Sequence, residues 1–158
     1  MTEAPPELAS RTLVHLRRVF HAIRSQSAAF ESRLGLTGPQ VWALHVIASA
    51  PEGVTVGALA ETLALHKANA SRLVERLREK KLVASERPER DRRLVVVSAT
   101  PRGRALLAKE AARPIQVELL DRLETLPPRE LAAIERAVAK LVRLLGAEAM
   151  EPRLIADD

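Results

Sequence analysis

Leu13, Leu16, Phe20, Ile23, Phe30 and Leu34, with Ser27 among them, follow one another at steps of three and four, the spacing of one stripe along a long amphipathic helix. So narrow a seam suits a second helix as its partner. Leu131, Ile134, Val138, Leu141 and Leu145 repeat the pattern behind "TLPPRE", whose prolines fit a break and a helix start. A further helix is expected from about Pro101 to Leu126, bent at Pro114 where a backbone donor is lost. The two terminal stripes read either as ordinary intrachain core or as an intersubunit seam. The second is preferred here, because the small middle portion has little surface left to cover them.

The middle is punctuated more tightly. Thr37 stands three residues before Gln40, a capping-box spacing, ahead of Val41, Leu44, Ile47 and Ala48 on one helical face that stops at Pro51 and Gly53. Thr55 caps a helix of barely two turns burying Val56, Leu59, Ala60 and Leu63, and "HKANASRLVERLREKK" follows with almost no linker. Helix, tight turn, helix is the spacing of a helix-turn-helix. On the second helix Ala70, Leu73, Val74 and Leu77 share a core face, which pushes Ala68, Asn69, Ser71, Arg72, Glu75 and Arg76 outward. Small polar residues in the first turns, then arginines, suit a helix entering the major groove of duplex DNA, where Asn pairs with adenine and Arg with guanine or phosphate. A merely solvated helix face is the plain alternative.

"LVASERP" and "RLVVVSA" read as two strands joined by "ERDR" as a hairpin turn. The apolar strand would pin the hairpin, so that its charged tip projects as a wing toward DNA. An arginine there can enter the minor groove, held extended by a neighbouring aspartate.

Charge placement sharpens this picture. Residues 66–104 hold 12 Lys or Arg against 5 Asp or Glu, a net of +7, which leaves the other 119 residues at −2 of the total +5. A localised basic zone is the footprint expected for a polyanion, although lysine-bearing solvated helices produce it too. The only aromatic rings, Phe20, Phe30 and Trp42, precede the zone, so base-stacking platforms for RNA or single strands are missing and duplex DNA is favoured.

"DRRLVVVSATPRG", from Asp91 to Gly103, resembles the wing signature of the multiple antibiotic resistance regulator (MarR) family of bacterial winged helix-turn-helix transcription factors. Asp91, Arg93, Val97 and Thr100 match it, with Ala99 where Leu is usual. "SRLVERLREKKLV" resembles the end of that family's recognition helix, and the element order is similar over residues 8–147. Lys81 stands where Gly is typical, so a left-handed residue there would carry a side chain at a cost of about 1 kcal/mol, or the helix must end differently. His66 stands at the usual Asp or Ser cap.

The resemblance implies a mainly α fold with a small β-hairpin wing. Expected boundaries are an N-terminal dimerisation helix over 1–34, a winged helix-turn-helix lobe over 35–100, C-terminal dimerisation helices over 101–150 and a tail over 151–158. It further implies a homodimer on a pseudo-palindromic duplex operator, acting as a repressor and released by a small anionic or phenolic effector. The expected DNA contacts are Lys67, Asn69, Ser71, Arg72 and Arg76 on the recognition helix and Arg87, Arg90, Asp91, Arg92 and Arg93 on the wing. Dimerisation falls to Leu13, Leu16, Phe20, Leu131, Ile134, Val138, Leu141 and Leu145. His21, Arg24, Trp42 and His45 are candidates to line an effector pocket, and read equally as a core tryptophan with satisfied or exposed neighbours. A protein-docking module for an acidic partner and a regulator without an effector remain competing readings.

Several functions are not expected. The chain has no cysteine, so disulfides, thiolate metal sites and thiol chemistry are excluded. His15, His21, His45 and His66 lack a short ligand spacing, so no metal and no cofactor are expected. No phosphate loop or nucleophile motif points to an enzyme. No apolar run reaches about 18 residues, and the expectation is a cytoplasmic protein. With 47% hydrophobic residues it can bury roughly two-thirds of its unfolded surface unaided.

Overall fold

The computed structural model describes residues 5–88, 94–110 and 113–150. Among the described residues, seven helices and three strands follow in the order α1 (Pro5–Leu34), α2 (Gly38–Ala48), β1 (Val54–Thr55), α3 (Val56–Thr62), α4 (Lys67–Glu79), β2 (Val83–Glu86), β3 (Val96–Ala99), α5 (Pro101–Glu110), α6 (Ile115–Glu124) and α7 (Pro128–Leu144).

The core lies in the middle of the chain, and α2 is its centre. The Thr37 hydroxyl accepts from the Gln40 amide at 3.4 Å while the Gln40 side chain accepts from the Thr37 amide at 3.3 Å, so the capping box forms as the spacing predicts. The helix is buried nearly all round rather than along one face: Pro39, Gln40, Trp42 and Ala43 join Val41, Leu44 and Ile47, while Ala48 is only half-buried. The reason is its neighbours, since α1, α3, α4, α5 and β3 all pack against it.

Two departures from the expected elements are physical corrections. Pro114 does not bend one helix; it separates two. Its ψ of 141° is extended, it caps α6, and its ring is fully buried. A proline has no N–H to donate to the preceding turn, so the helix ahead of it cannot run on through it unbroken. The hairpin also gains a third strand. The sheet order is β1-β3-β2, antiparallel throughout, with Val97 opposite both Val54 and Ser85. Two residues are too short for a period-2 signal, so β1 is invisible to patterning. Gly53, at φ +79°, lets the chain enter it: a β-carbon there would stand 2.7 Å from Val96 Cγ1.

Helix ends are closed by left-handed residues. After α3, Ala64 (φ 52°) donates to Glu61 O and Leu65 to Ala60 O; after α4, Lys81 (φ 60°) donates to Arg78 O and Leu82 to Leu77 O. Both are Schellman closures without glycine, and Leu82, buried at 3% exposure, supplies the apolar contact that usually accompanies them. The expected strain at Lys81 is present.

Candidate nucleic-acid interface

Recognition-helix geometry follows from its apolar face. Ala70, Leu73, Val74 and Leu77 are buried in the core with Leu59 of α3 and Leu63 at its C-cap, so the orientation of α4 about its axis is set by packing. Ser71, Arg72 and Arg76 are exposed away from that face, while Lys67, exposed, and Asn69, half-exposed, flank the buried stripe in the first turn. Arg76 and Arg78 in the last turn also complement the helix dipole. Arg78 Nη2 pairs with Glu75 Oε1 at 2.7 Å, an exposed bond that holds both side chains along the helix. His66 stands at the N-cap of α4 and its side chain makes no capping hydrogen bond to that helix.

The hairpin stands beside this helix. A cleft of about 300 Å³ separates them, walled by Ser71, Glu75 and Arg78 on α4 and by Glu86, Arg87 and Val95 on the wing. Arg87 is exposed. Arg90, Asp91, Arg92 and Arg93 lie outside the described residues.

The wing's root is tied to α5. The Thr100 hydroxyl accepts from the Gly103 amide at 3.1 Å and faces the Lys81 and Leu82 carbonyls at 2.9 and 3.1 Å, so one side chain caps α5 and clamps the start of β2. Arg104 on the same helix donates to Ala48 O at 3.0 Å, closing the end of α2. Sequence patterning did not single out Arg104. Its bond spans 56 positions of chain and leaves no periodic trace.

Residues 34–94, which run from the end of α1 through the helix pair into the hairpin, match the model of the MarR family. Over this lobe the chain is similar to the MarR family. An uncharacterised HTH-type transcriptional regulator, YsmB of Bacillus subtilis (strain 168), is 25% identical over 141 residues, covering 89% of this chain and 95% of that protein. Among solved structures, the MarR family regulator Sco3205 from Streptomyces coelicolor, in complex with DNA, aligns with a TM-score of 0.61 at 18% identity over 96% of this chain and 95% of that one. Streptococcus pneumoniae FabT, also in complex with DNA, aligns with a TM-score of 0.58 at 19% identity over 87% and 97%. These likenesses establish the winged-helix fold of MarR proteins from end to end.

The seam residues expected at a MarR dimer interface are open to solvent in the single chain. Leu13, Phe20, Leu131, Ile134, Val138 and Leu145 are exposed, Phe20 at 54% and Leu145 at 75%, whereas Leu16 and Leu141 are half-buried. Toward its C-terminal end the α1 stripe turns inward, with Ser27 and Phe30 buried against the lobe.

The four pocket candidates lie on α1 and α2. Trp42 is part of the core, His21 and Arg24 are exposed on α1, and the His21 ring lies 3.5 Å from Ser25 Oγ. His45 is half-buried, and burial together with the nearby Arg113 guanidinium holds its pKa below 6.5, with Asp121 opposing. A second cleft, of about 170 Å³, lies where α1, α4 and α5 meet, with Lys80 and Arg102 beside Leu34, Leu36 and Leu106. Lys80 Nζ there donates to Gly35 O at 2.9 Å.

Among the described residues, no group of three or more His, Asp or Glu side chains is arranged to hold a metal ion. No helix among them is long and apolar enough to cross a membrane.

Proposed function

We propose that this protein is a transcriptional regulator that binds a pseudo-palindromic duplex operator as a homodimer, represses from it, and is released by a small anionic ligand. One observation carries the reading: packing of Ala70, Leu73, Val74 and Leu77 turns Ser71, Arg72 and Arg76 of α4 away from the core, with Lys67 and Asn69 in its first turn beside them. Lys and Arg supply phosphate contacts and counterion release, while Asn69 and Ser71 sit in the first turns, which come nearest to base edges when a helix docks in the major groove. The DNA-bound states of Sco3205 and FabT support the same docking for this chain. Recognition, not catalysis, is then the activity.

Dimerisation is supported by the exposed apolar rows of α1 and α7, since contiguous exposed apolar surface on a soluble chain marks an interface. The terminal segments 1–34 and 101–150 would join the two lobes, and their dyad would set the recognition helices about 34–36 Å apart. Ligand release is supported by half-buried His45 lying near Arg113, whose guanidinium pairs with Asp121 and could exchange that carboxylate for a ligand's. Aromatic carboxylates that bind there should raise the melting temperature.

The test is a duplex selected by the full-length protein from a randomised pool, compared with a random duplex across a salt series. A specific regulator should discriminate by about 10³ or more, with log affinity falling by about 0.9 per phosphate contact in log salt. Discrimination below about tenfold would instead favour a docking module for an acidic protein.

A further inference from the structure

Gln26 and Ser27 are consecutive on α1, about 100° apart around its axis, so they face different neighbours. Each meets the first backbone amide of another helix. The Ser27 hydroxyl, 5% exposed, accepts from the Gly38 amide at 2.9 Å, at the start of α2 in the winged lobe. Gly38 permits the approach: a β-carbon there would stand 3.1 Å from Ser27 Oγ. The Gln26 carbonyl oxygen accepts from the Ile115 amide at 2.6 Å, at the start of α6, and its amide nitrogen donates to the Arg113 carbonyl at 3.3 Å, straddling buried Pro114. Both contacts satisfy helix N-termini: α2 already carries its Thr37 capping box, whereas α6 has no side-chain cap of its own. Pro114 offers no side-chain oxygen to α6, and Gln26 supplies one from 89 positions away.

We infer that Gln26 and Ser27 are positioning residues, a two-sided pin through which α1 sets the angle between the winged lobe and α6, and with it the separation of the two recognition helices. The inference rests on the DNA-binding dimer proposed above. Its physical content is separable from it. Ser27 grips the lobe, Gln26 grips α6, and because both stand on one stiff helical turn the two gripped helices move as one body. Loss of the Gln26 bond leaves each part folded and the joint between them loose.

Since the chain contains no cysteine, Glu61→Cys on α3 and Glu124→Cys at the end of α6 can carry nitroxides without background. Electron-electron double resonance on full-length doubly labelled chains diluted with unlabelled protein reads the angle directly, with no DNA present. One narrow distance is expected for the parent sequence, a broadened distribution for Gln26→Ala, and recovery of the narrow one for Gln26→Glu, which keeps the accepting oxygen. A Gln26→Ala distribution that coincides with the parent's overturns the pin. In parallel, unlabelled protein is titrated on its selected duplex and on the same duplex cut to one half-site. Gln26→Ala should lose about tenfold on the full site, the equivalent of one lost cap, and stay within about twofold on the half-site. Equal losses on both would mark a general structural defect and overturn the positioning role. If the parent selects no duplex, the DNA reading fails while the spin-label result still decides whether Gln26 holds the joint.

Discussion

Gly103 and the Leu82 carbonyl are in such close contact that a β-carbon on the glycine would lie 2.2 Å from that oxygen. This is where α5 presses on the first turn of the wing, beside the Thr100 clamp. Gly103→Ala must push backbone against backbone, with no flexible side chain to yield. Urea unfolding should show a loss of about 2–3 kcal/mol.

Lys81 gives the opposite sign. Its left-handed φ of 60° closes α4 at a cost of about 1–2 kcal/mol for a residue with a β-carbon. Glycine removes that strain but adds about 0.5–1 kcal/mol of unfolded-state entropy. Lys81→Gly should therefore stabilise the protein by about 0.5–1 kcal/mol in the same assay.

Acid should weaken the fold through His45. Burial first, then Arg113, lowers its folded pKa below the 6.5 of the unfolded chain, against the smaller pull of Asp121. Between those two values the unfolded chain binds more protons than the folded one. The stability owed to the neutral ring is thus fully present above pH 6.5 and is lost as pH falls from 6.5 through the folded pKa. Melting temperatures recorded across that window should decline, and His45→Gln should flatten the decline.

Arg72 is exposed on the outer face of α4 and packs against nothing in the core. Arg72→Ala should leave thermal stability within about 0.5 kcal/mol. On the selected duplex it should weaken binding and reduce the log-log salt slope by about 1. An unchanged slope would remove Arg72 from the phosphate contacts.

Legibility in the sequence tracked the range of the interaction. The capping box of Thr37 and Gln40, the Thr55 cap, the buried face of α4 and the left-handed Lys81 were all readable because each is settled within a few residues. Pro114 was readable as a disturbance, but not as a break between two helices, because its burial depends on what packs over it. The two-residue strand β1 was unreadable, since its pairing with Val96 and Val97 supplies the whole of its definition. The surroundings of Trp42, His21 and Arg24 were not readable from spacing along two helices, because spacing does not say which faces meet: Trp42 is buried in the core, while His21 and Arg24 are exposed in the single chain.

What this sequence decides unaided is which side of α4 is apolar, where α2 and α3 start, and that positive charge gathers in the middle of the chain. Those properties are local, and hydrophobic periodicity and backbone chemistry express them directly. The tertiary structure alone decides that Ser27 meets Gly38, that Gln26 caps a helix beginning at Ile115, and that Arg104 closes α2. Such bonds join amide and carbonyl groups whose need for a partner is written at every helix end, while the identity of the partner is fixed only when packing brings distant side chains within reach.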